Sequence, residues 1–386
     1  MKIRPELPFN RVTGNQPTPS VSVARQPGML NRQLMLRLLV SLLIAAGFIW
    51  LIRRGGLPLL PHQSAFHRVS WWALPACVGL ILLSTFYRTY RWVYLLRPIS
   101  PNVSRWRVFA MGLIGFSAVF LAPLRSGEVV RPLLIARDGE VSFLQATGTV
   151  GAERVIDGLL LTLLTFIALW LAPPQSPLPD KLGDLPLPVS ALPAAVYSTL
   201  LLFVVAFVAM ALFYWTRGFA RRTTLLVVGP ISSRLAAWLT GTIERLAQGL
   251  SFLPSRANLL PFLRDTGLYW GLGIVSQWLL LWASGIRASL AQACVTLGVV
   301  GLGSLVPAGP GFFGAYQIAG FSSLALYFAL PVVKSEGAAF IFMSYVVQFV
   351  LNISTCFLGL WLMSRFPGPA RTFEQVAPSA ADDQTQ

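Results

Sequence analysis

The stretch "PLRSGEVVRP" at residues 123–132 decides how this chain folds. It ends a long apolar run and brings a proline, a glycine and three charged residues to a place where a membrane span would leave the bilayer. Two interpretations are open. The stretch is a solvated loop, or the chain breaks inside the membrane and the charges line a cavity.

The composition of the chain is typical of a membrane protein. Of its 386 residues, 55% are hydrophobic and only 11% are charged, whereas a soluble domain is about 25% charged. Several apolar runs approach the roughly 20 residues that a helix needs to cross a bilayer. The composition therefore predicts a polytopic helical membrane protein.

The distribution of Lys and Arg favours the broken arrangement. If every apolar run spans once from a cytoplasmic N-terminus, the basic segment 216–266 lies outside, against the positive-inside rule. The rule holds if 103–150 enters from the cytoplasm and returns, and if 288–330 does the same from outside. Of the 30 Lys and Arg residues, 20 then lie inside and six outside, with four in the first hairpin and its exit.

We therefore predict an all-α fold of about six full spans plus two broken re-entrant helical hairpins, arranged as an inverted-topology repeat. Its parts are a disordered cytoplasmic tail at 1–33, a transmembrane domain at 34–363 with halves 34–172 and 191–363 joined by a loop at 173–190, a cytoplasmic basic amphipathic segment at 216–266, and a polar tail at 364–386. Both ends are expected in the cytoplasm.

The two predicted breaks have the same skeleton, a proline followed four residues later by a glycine. Interrupted helices at corresponding places in two oppositely oriented halves are typical of a transporter binding site. The residues expected to form the breaks are Pro123, Gly127, Pro307, Gly309, Pro310, Gly311 and Gly314.

A constellation of charges surrounds the first break. The candidate substrate-binding residues are Arg125, Glu128, Arg131, Glu153, Arg154 and Asp157, with Gln317 beside the second break. Helical spacing lets Glu128 pair with Arg131, and Arg154 pair with Asp157. The arginines form a positive pocket for an anionic headgroup, for which planar guanidinium groups are suited. Alternatively, the charges are ion pairs that hold the hairpin against the next helix, and both can be true.

Other chemistries find little support in the sequence. The net charge of +16 falls in loops between apolar runs, which indicates membrane orientation and no nucleic-acid partner. The three cysteines and two histidines form no metal or disulfide pattern, so no metal and no cofactor are expected. A phosphate-binding P-loop is missing, and no catalytic constellation stands out, so we expect neither an ATPase nor another enzyme.

Four ordered motifs resemble the lysylphosphatidylglycerol synthase transmembrane-region family of flippase-like integral membrane proteins. They are "RW..LL" at Arg91–Leu96, "P.RSGE..RP" at Pro123–Pro132, "ER..DG" at Glu153–Gly158 and "P..PGF.G..Q" at Pro307–Gln317, within residues 35–363. Many members carry Asn before the first motif's proline, where this chain has Val119 and Phe120. Many carry Glu where this chain has Gln317.

The resemblance implies a protein of the bacterial inner membrane, related to the domain that flips aminoacylated phosphatidylglycerol. The expected function is a lipid translocase that moves or binds a lipid with an anionic headgroup, such as a modified phospholipid or a polyprenyl- or hopanoid-linked lipid. The soluble aminoacyl-transfer domain is not seen. The alternative is a non-transporting accessory protein that binds lipid and docks a lipid- or glycolipid-pathway enzyme.

Overall fold

The computed structural model describes residues 27–366, except positions 140, 186, 231 and 307. Within these ranges every regular element is a helix, and there is no β-strand. The predicted all-α class is therefore confirmed for the part of the chain that the structure describes.

The first half contains seven α-helices. They are α1 (Pro27–Arg54), α2 (Gln63–Phe66), α3 (Ala73–Tyr90), α4 (Trp92–Leu96), α5 (Arg105–Leu121), α6 (Val130–Asp138) and α7 (Phe143–Leu171). A 3-10 segment, Pro123–Val129, connects α5 to α6. The proline at its start has a fixed φ and no N–H, which suits the first turn of a helix but would break an interior one.

The second half also contains seven. They are α8 (Leu192–Val228), α9 (Ser233–Gln248), α10 (Arg256–Ala283), α11 (Leu290–Gly303), α12 (Ala315–Ala325), α13 (Leu330–Lys334) and α14 (Glu336–Arg365). Short 3-10 segments, Val189–Ala191 and Pro310–Phe312, precede α8 and α12.

The apolar surface of α8 identifies the surroundings of the protein. Leu201, Leu202 and Val205 are 65%, 63% and 57% exposed, although each is aliphatic. An apolar helix that buries so few side chains in its own protein needs an apolar exterior. Among the described residues, three stretches are long and apolar enough to cross a membrane, namely Phe143–Leu171, Val189–Val228 and Leu330–Arg365. The chain is a membrane protein.

Helix packing brings the polar residues of four helices together. α3 packs along α10, α5 packs along α14, and α7 packs against both α8 and α11. α5 also contacts α3 and α6, while the short α4 contacts α5, α7 and α10. The C-terminal end of α3 and parts of α6, α7 and α10 therefore lie close together beside α5.

Some predicted boundaries were wrong. α1 begins at Pro27, so 27–33 is helical and does not belong to a disordered tail, because proline is favoured in a first helical turn and good helix formers follow it. Residues 1–26 and 367–386 lie outside the described residues.

The predicted basic segment 216–266 is not a separate element, because α8, α9 and α10 share its residues. Its start continues α8 to Val228, since no glycine or proline follows Gly218 before Gly229, and its end forms the first part of α10.

At the first break the chain folds back closely on α5. A Cβ atom added at Gly127 would collide with the backbone of Ala118 and Val119 in α5. The absence of a side chain at Gly127 therefore permits the 3-10 segment to lie directly against the helix that precedes it.

We predict that Gly127→Ala destabilises the protein by about 1–3 kcal/mol, the usual cost of overpacking. The measurement is the thermal unfolding midpoint in detergent. Gly151→Ala in α7 is the matched control, because a Cβ there meets open space, and replacing glycine in a helix is favourable by up to about 1 kcal/mol. Equal midpoints for the two variants would contradict the close approach.

Candidate functional site

Two carboxylates in α7 form the centre of the site. Glu153 and Asp157 are four residues apart on one helix face, and both are buried, at 0% and 7% exposure. Burying a carboxylate inside a membrane protein is costly unless it is paired. Their partners are arginines from two other segments of the chain.

Arg91, at the junction of α3 and α4, binds both carboxylates. Its two terminal nitrogens donate to the two oxygens of Asp157, each at 2.6 Å, and Nη2 also donates to Glu153 at 3.1 Å. The remaining donors reach Thr266 of α10 at 2.8 Å and the backbone carbonyl of Arg88 at 3.2 Å. All five N–H groups of this fully buried guanidinium are therefore used, so Arg91 joins α3, α7 and α10 and has no donor left for a ligand.

Arg131 of α6 approaches Glu153 from the other side. Its Nη1 donates to the carboxylate at 2.7 Å, and its side chain is 1% exposed. Gly115 of α5 makes room for the stem of this arginine, since a Cβ at that position would collide with it. Nη2 of Arg131 is buried and has no hydrogen-bond partner among the described residues.

Three arginines share the ring of Phe116 in α5. The guanidinium carbons of Arg88, Arg131 and Arg154 lie 4.0, 4.2 and 5.4 Å from its centroid. Nε of Arg88, and Nε and Nη2 of Arg154, are also buried without a partner in the described part of the chain. The ring face carries partial negative charge, which offsets part of the repulsion between the three cations.

The cluster has more positive than negative charge. Arg88, Arg91, Arg131 and Arg154 carry four positive charges, and Glu153 and Asp157 carry two negative ones, which leaves an excess of two. The excess lies around Phe116, where the unpartnered N–H groups are. We call these six charged residues and Phe116 the arginine cluster. Its charge and its free donors suit an oxyanion.

Both predicted helical pairs were wrong. Glu128 pairs with Arg125 at 2.7 Å, and both residues lie in the 3-10 segment, whereas Arg131 lies in α6 and donates to Glu153 of α7 instead. Asp157 directs both oxygens to Arg91, so Arg154 is left without an acidic partner among the described residues.

Arg125 lies outside the arginine cluster and connects the two breaks. Its Nη1 donates to the carbonyl of Ser304, the residue that ends α11, at 2.7 Å. Its guanidinium also lies 5.6 Å from the ring centroid of Phe312 in the second break. A cation is favourable at a helix C-terminus, where carbonyl groups have no helical partner.

Glycines shape the second break. Gly311 and Gly314 adopt positive φ angles of 70° and 92°, which side-chain-bearing residues rarely tolerate. Gly309 packs against Ala45 of α1, and Pro310 begins the 3-10 segment. Pro307 lies outside the described residues.

Gln317 is placed at the start of α12. Its Oε1 accepts a hydrogen bond from the backbone N–H of Gly314 at 2.6 Å, and the residue is 6% exposed. This is the geometry of a helix cap. No hydrogen bond between described residues connects it to the arginine cluster, so a role in substrate binding stays a prediction.

Comparison with known proteins assigns the chain to a family. The family model described as the lysylphosphatidylglycerol synthase TM region matches residues 38–354, most of the sequence. The chain belongs to this family. A search of curated proteins and a search of solved structures each returned no match. The resemblance inferred from the four motifs is thereby confirmed, and the match covers every residue of the arginine cluster.

The roles of Arg88 and Arg91 do not follow from the local sequence. Arginines that alternate with aromatic residues at the end of an apolar run, as Arg88 and Arg91 do, usually lie at the membrane interface, but here both belong to the arginine cluster. The available signal was the "RW..LL" motif itself, which begins with Arg91. Nothing in the local pattern predicts that α10 supplies Thr266 to the same guanidinium.

We predict that Arg91→Met destabilises the protein by about 3–5 kcal/mol, because it leaves Asp157 buried without its bidentate partner. The double variant Arg91→Met/Asp157→Leu should recover most of this loss. Thermal unfolding in detergent measures both, with Arg137→Met as the control, since Arg137 is exposed at the end of α6. A double variant as unstable as the single one would contradict the pairing.

Proposed function

We propose that this protein binds the phosphate of an anionic lipid headgroup at the arginine cluster and moves the lipid between leaflets. The observation that carries the proposal is the group of buried guanidinium N–H donors without partners around Phe116. Arg88, Arg131 and Arg154 supply these donors from three different helices. A phosphate has enough oxygen acceptors to take hydrogen bonds from all three.

The energetics favour a ligand that binds there. A buried donor without a partner costs about 1–3 kcal/mol, and more when the group is charged. Arginine inside a membrane is costly as well and typically marks a substrate pathway. A phosphodiester at the ring of Phe116 would accept hydrogen bonds from the free donors and at the same time neutralise one of the two excess positive charges. The proposed activity is carrier transport and needs no enzymatic step.

The arrangement of the two halves supports a transporter. The first half runs α1, α3, the α5–α6 hairpin and α7, and the second runs α8, α10, the α11–α12 hairpin and α14. α5 packs on α14 of the other half, and α11 packs on α7 in the reciprocal way. Exchanging the two halves also maps the contact between α3 and α10 onto itself. Two halves related by a two-fold axis would give this packing, so we propose the inverted repeat with six spans and two re-entrant hairpins.

The proposed setting is the bacterial inner membrane, with both ends of the transmembrane domain on the cytoplasmic side. The basic C-terminal part of α8 and the following α9 lie on that side, as the positive-inside rule requires. The acidic and proline-rich loop at 173–190 then faces outward.

We predict that Arg154→Gln slows lipid movement about tenfold or more, because one charged hydrogen bond to phosphate contributes about 1.5–3 kcal/mol. The unfolding midpoint should stay unchanged or rise, since Arg154 stabilises no acidic partner among the described residues. The assay reconstitutes the protein in liposomes with acyl-labelled fluorescent phosphatidylglycerol and follows quenching by dithionite.

The control for this assay is Arg137→Gln, an exposed arginine outside the cluster. In liposomes that contain wild-type protein, dithionite should quench nearly all the label. In liposomes without protein, it should quench only the half that lies in the outer leaflet. A wild-type rate in Arg154→Gln would refute the phosphate site. Wild-type protein that binds the lipid without moving it would refute transport and favour the accessory role.

The topology is tested by labelling single cysteines. Cys77, Cys294 and Cys356 are replaced by alanine, and Ser176→Cys or Arg256→Cys is added; both added positions are surface ones, one in the loop and one at the start of α10. An impermeant thiol reagent on intact spheroplasts should label position 176 and spare position 256. Labelling in the reverse order would overturn the proposed orientation.

A further inference from the structure

A polar groove adjoins the arginine cluster. Its floor is α5, its two walls are α3 and α14, and it encloses a cavity of about 40 Å³. One face of each wall lines it, as the spacing of Ile81, Thr85 and Arg88 on α3 indicates. Because Arg88 and Phe116 belong to both the cluster and the groove, a group attached to a bound phosphate would extend into this cavity.

The walls of the groove offer unused hydrogen-bonding groups. The hydroxyl of Thr89 is buried without a partner in the described part of the chain. Asn352 donates through Nδ2 to the carbonyl of Gln348 at 2.8 Å, which leaves its Oδ1 as an acceptor. The side-chain amide of Gln348 has no hydrogen bond to any described residue and provides both a donor and acceptors.

The groove has no place for a cation. None of the described residues that line it is acidic, and Arg88 is its one charged lining residue. The nearby carboxylates, Glu153 and Asp157, are already bound by Arg91 and Arg131. An ammonium group in the groove would be repelled by the positive charge that the cluster keeps after one phosphodiester has bound, and no free carboxylate among the lining residues could pair with it.

We propose that the groove binds the uncharged, hydroxyl-bearing part of the headgroup, so that the substrate is a phosphodiester lipid with a glycerol-like substituent. The hydroxyl groups of the headgroup form hydrogen bonds with Gln348, Asn352 and Thr89, while Arg88 binds the phosphate. This inference rests on the proposed phosphate site and adds the class of headgroup. A lipid whose headgroup ends in an ammonium group is excluded by charge.

The volume of the cavity supports the same class of headgroup. A cavity of about 40 Å³ holds roughly three water-sized groups. A glycerol unit has a few heavy atoms beyond the phosphate and fits such a space, whereas a lysyl ester adds a long flexible chain.

The test measures the affinity of the purified full chain in detergent for four dioctanoyl lipids by native mass spectrometry. Phosphatidylmethanol presents the phosphodiester alone, and phosphatidylglycerol adds two hydroxyl groups. Lysyl-phosphatidylglycerol adds positive charge, and phosphatidylcholine is zwitterionic. We expect phosphatidylglycerol to bind about tenfold more tightly than phosphatidylmethanol, as one or two hydrogen bonds provide, and the two cation-bearing lipids to bind more weakly than either.

Variants assign the preference to the groove. Asn352→Leu and Gln348→Met should reduce the affinity for phosphatidylglycerol to that for phosphatidylmethanol. Their affinity for phosphatidylmethanol should match the wild type, which also shows that they are folded. Ser354→Leu, exposed on the same helix, is the matched control and should keep the tenfold preference.

Each failure has a distinct signature. Equal wild-type affinity for phosphatidylglycerol and phosphatidylmethanol would overturn the groove proposal and leave the phosphate site standing. Absence of binding to both would overturn the phosphate site and the groove with it. Tightest binding of lysyl-phosphatidylglycerol would overturn the charge argument. Soluble glycerol 3-phosphate that binds as tightly as the lipid would show that the site serves a free phosphate compound.

Discussion

The bidentate bond between Arg91 and Asp157 is the interaction on which the rest of the site depends. It is fully buried, and the same guanidinium also binds Glu153 and Thr266. Because Arg91 uses all its donors, it fixes α7 relative to α3 and α10 and takes up the charge of Asp157. The two carboxylate oxygens of Glu153 accept hydrogen bonds from different arginines, one from Arg91 and the other from Arg131. The two remaining arginines of the cluster, Arg88 and Arg154, are left with positive charge that no described acid neutralises.

Much of the fold follows from local patterns in the sequence. The length of the apolar runs predicts the helices, and the sequence Pro-Leu-Arg-Ser-Gly predicts the first break, which lies where α5 ends. Helical periodicity also places Glu153 and Asp157 on one face of α7. These features depend on residues within a few turns of one another, which a single sequence does reveal.

The pairing of charges could not be predicted in the same way. Arg91 and Asp157 are 66 positions apart, and Arg125 and Ser304 are 179 apart. Local spacing allowed Glu128 to pair with Arg131, but Arg131 binds Glu153, which is 22 positions away and belongs to α7. The lining of the groove by Gln348 and Asn352 likewise depends on α14 packing against α5.

The hydrogen bond from Arg125 to Ser304 has a consequence for cooperativity. Through this bond the Arg125 guanidinium contacts both breaks. A change of conformation at one break therefore alters a contact that the other break makes. Any ligand whose affinity depends on the conformation of the first break must then also depend on the second. A substitution at Gly311 that shifts the second break would then change the affinity of a site formed by other helices.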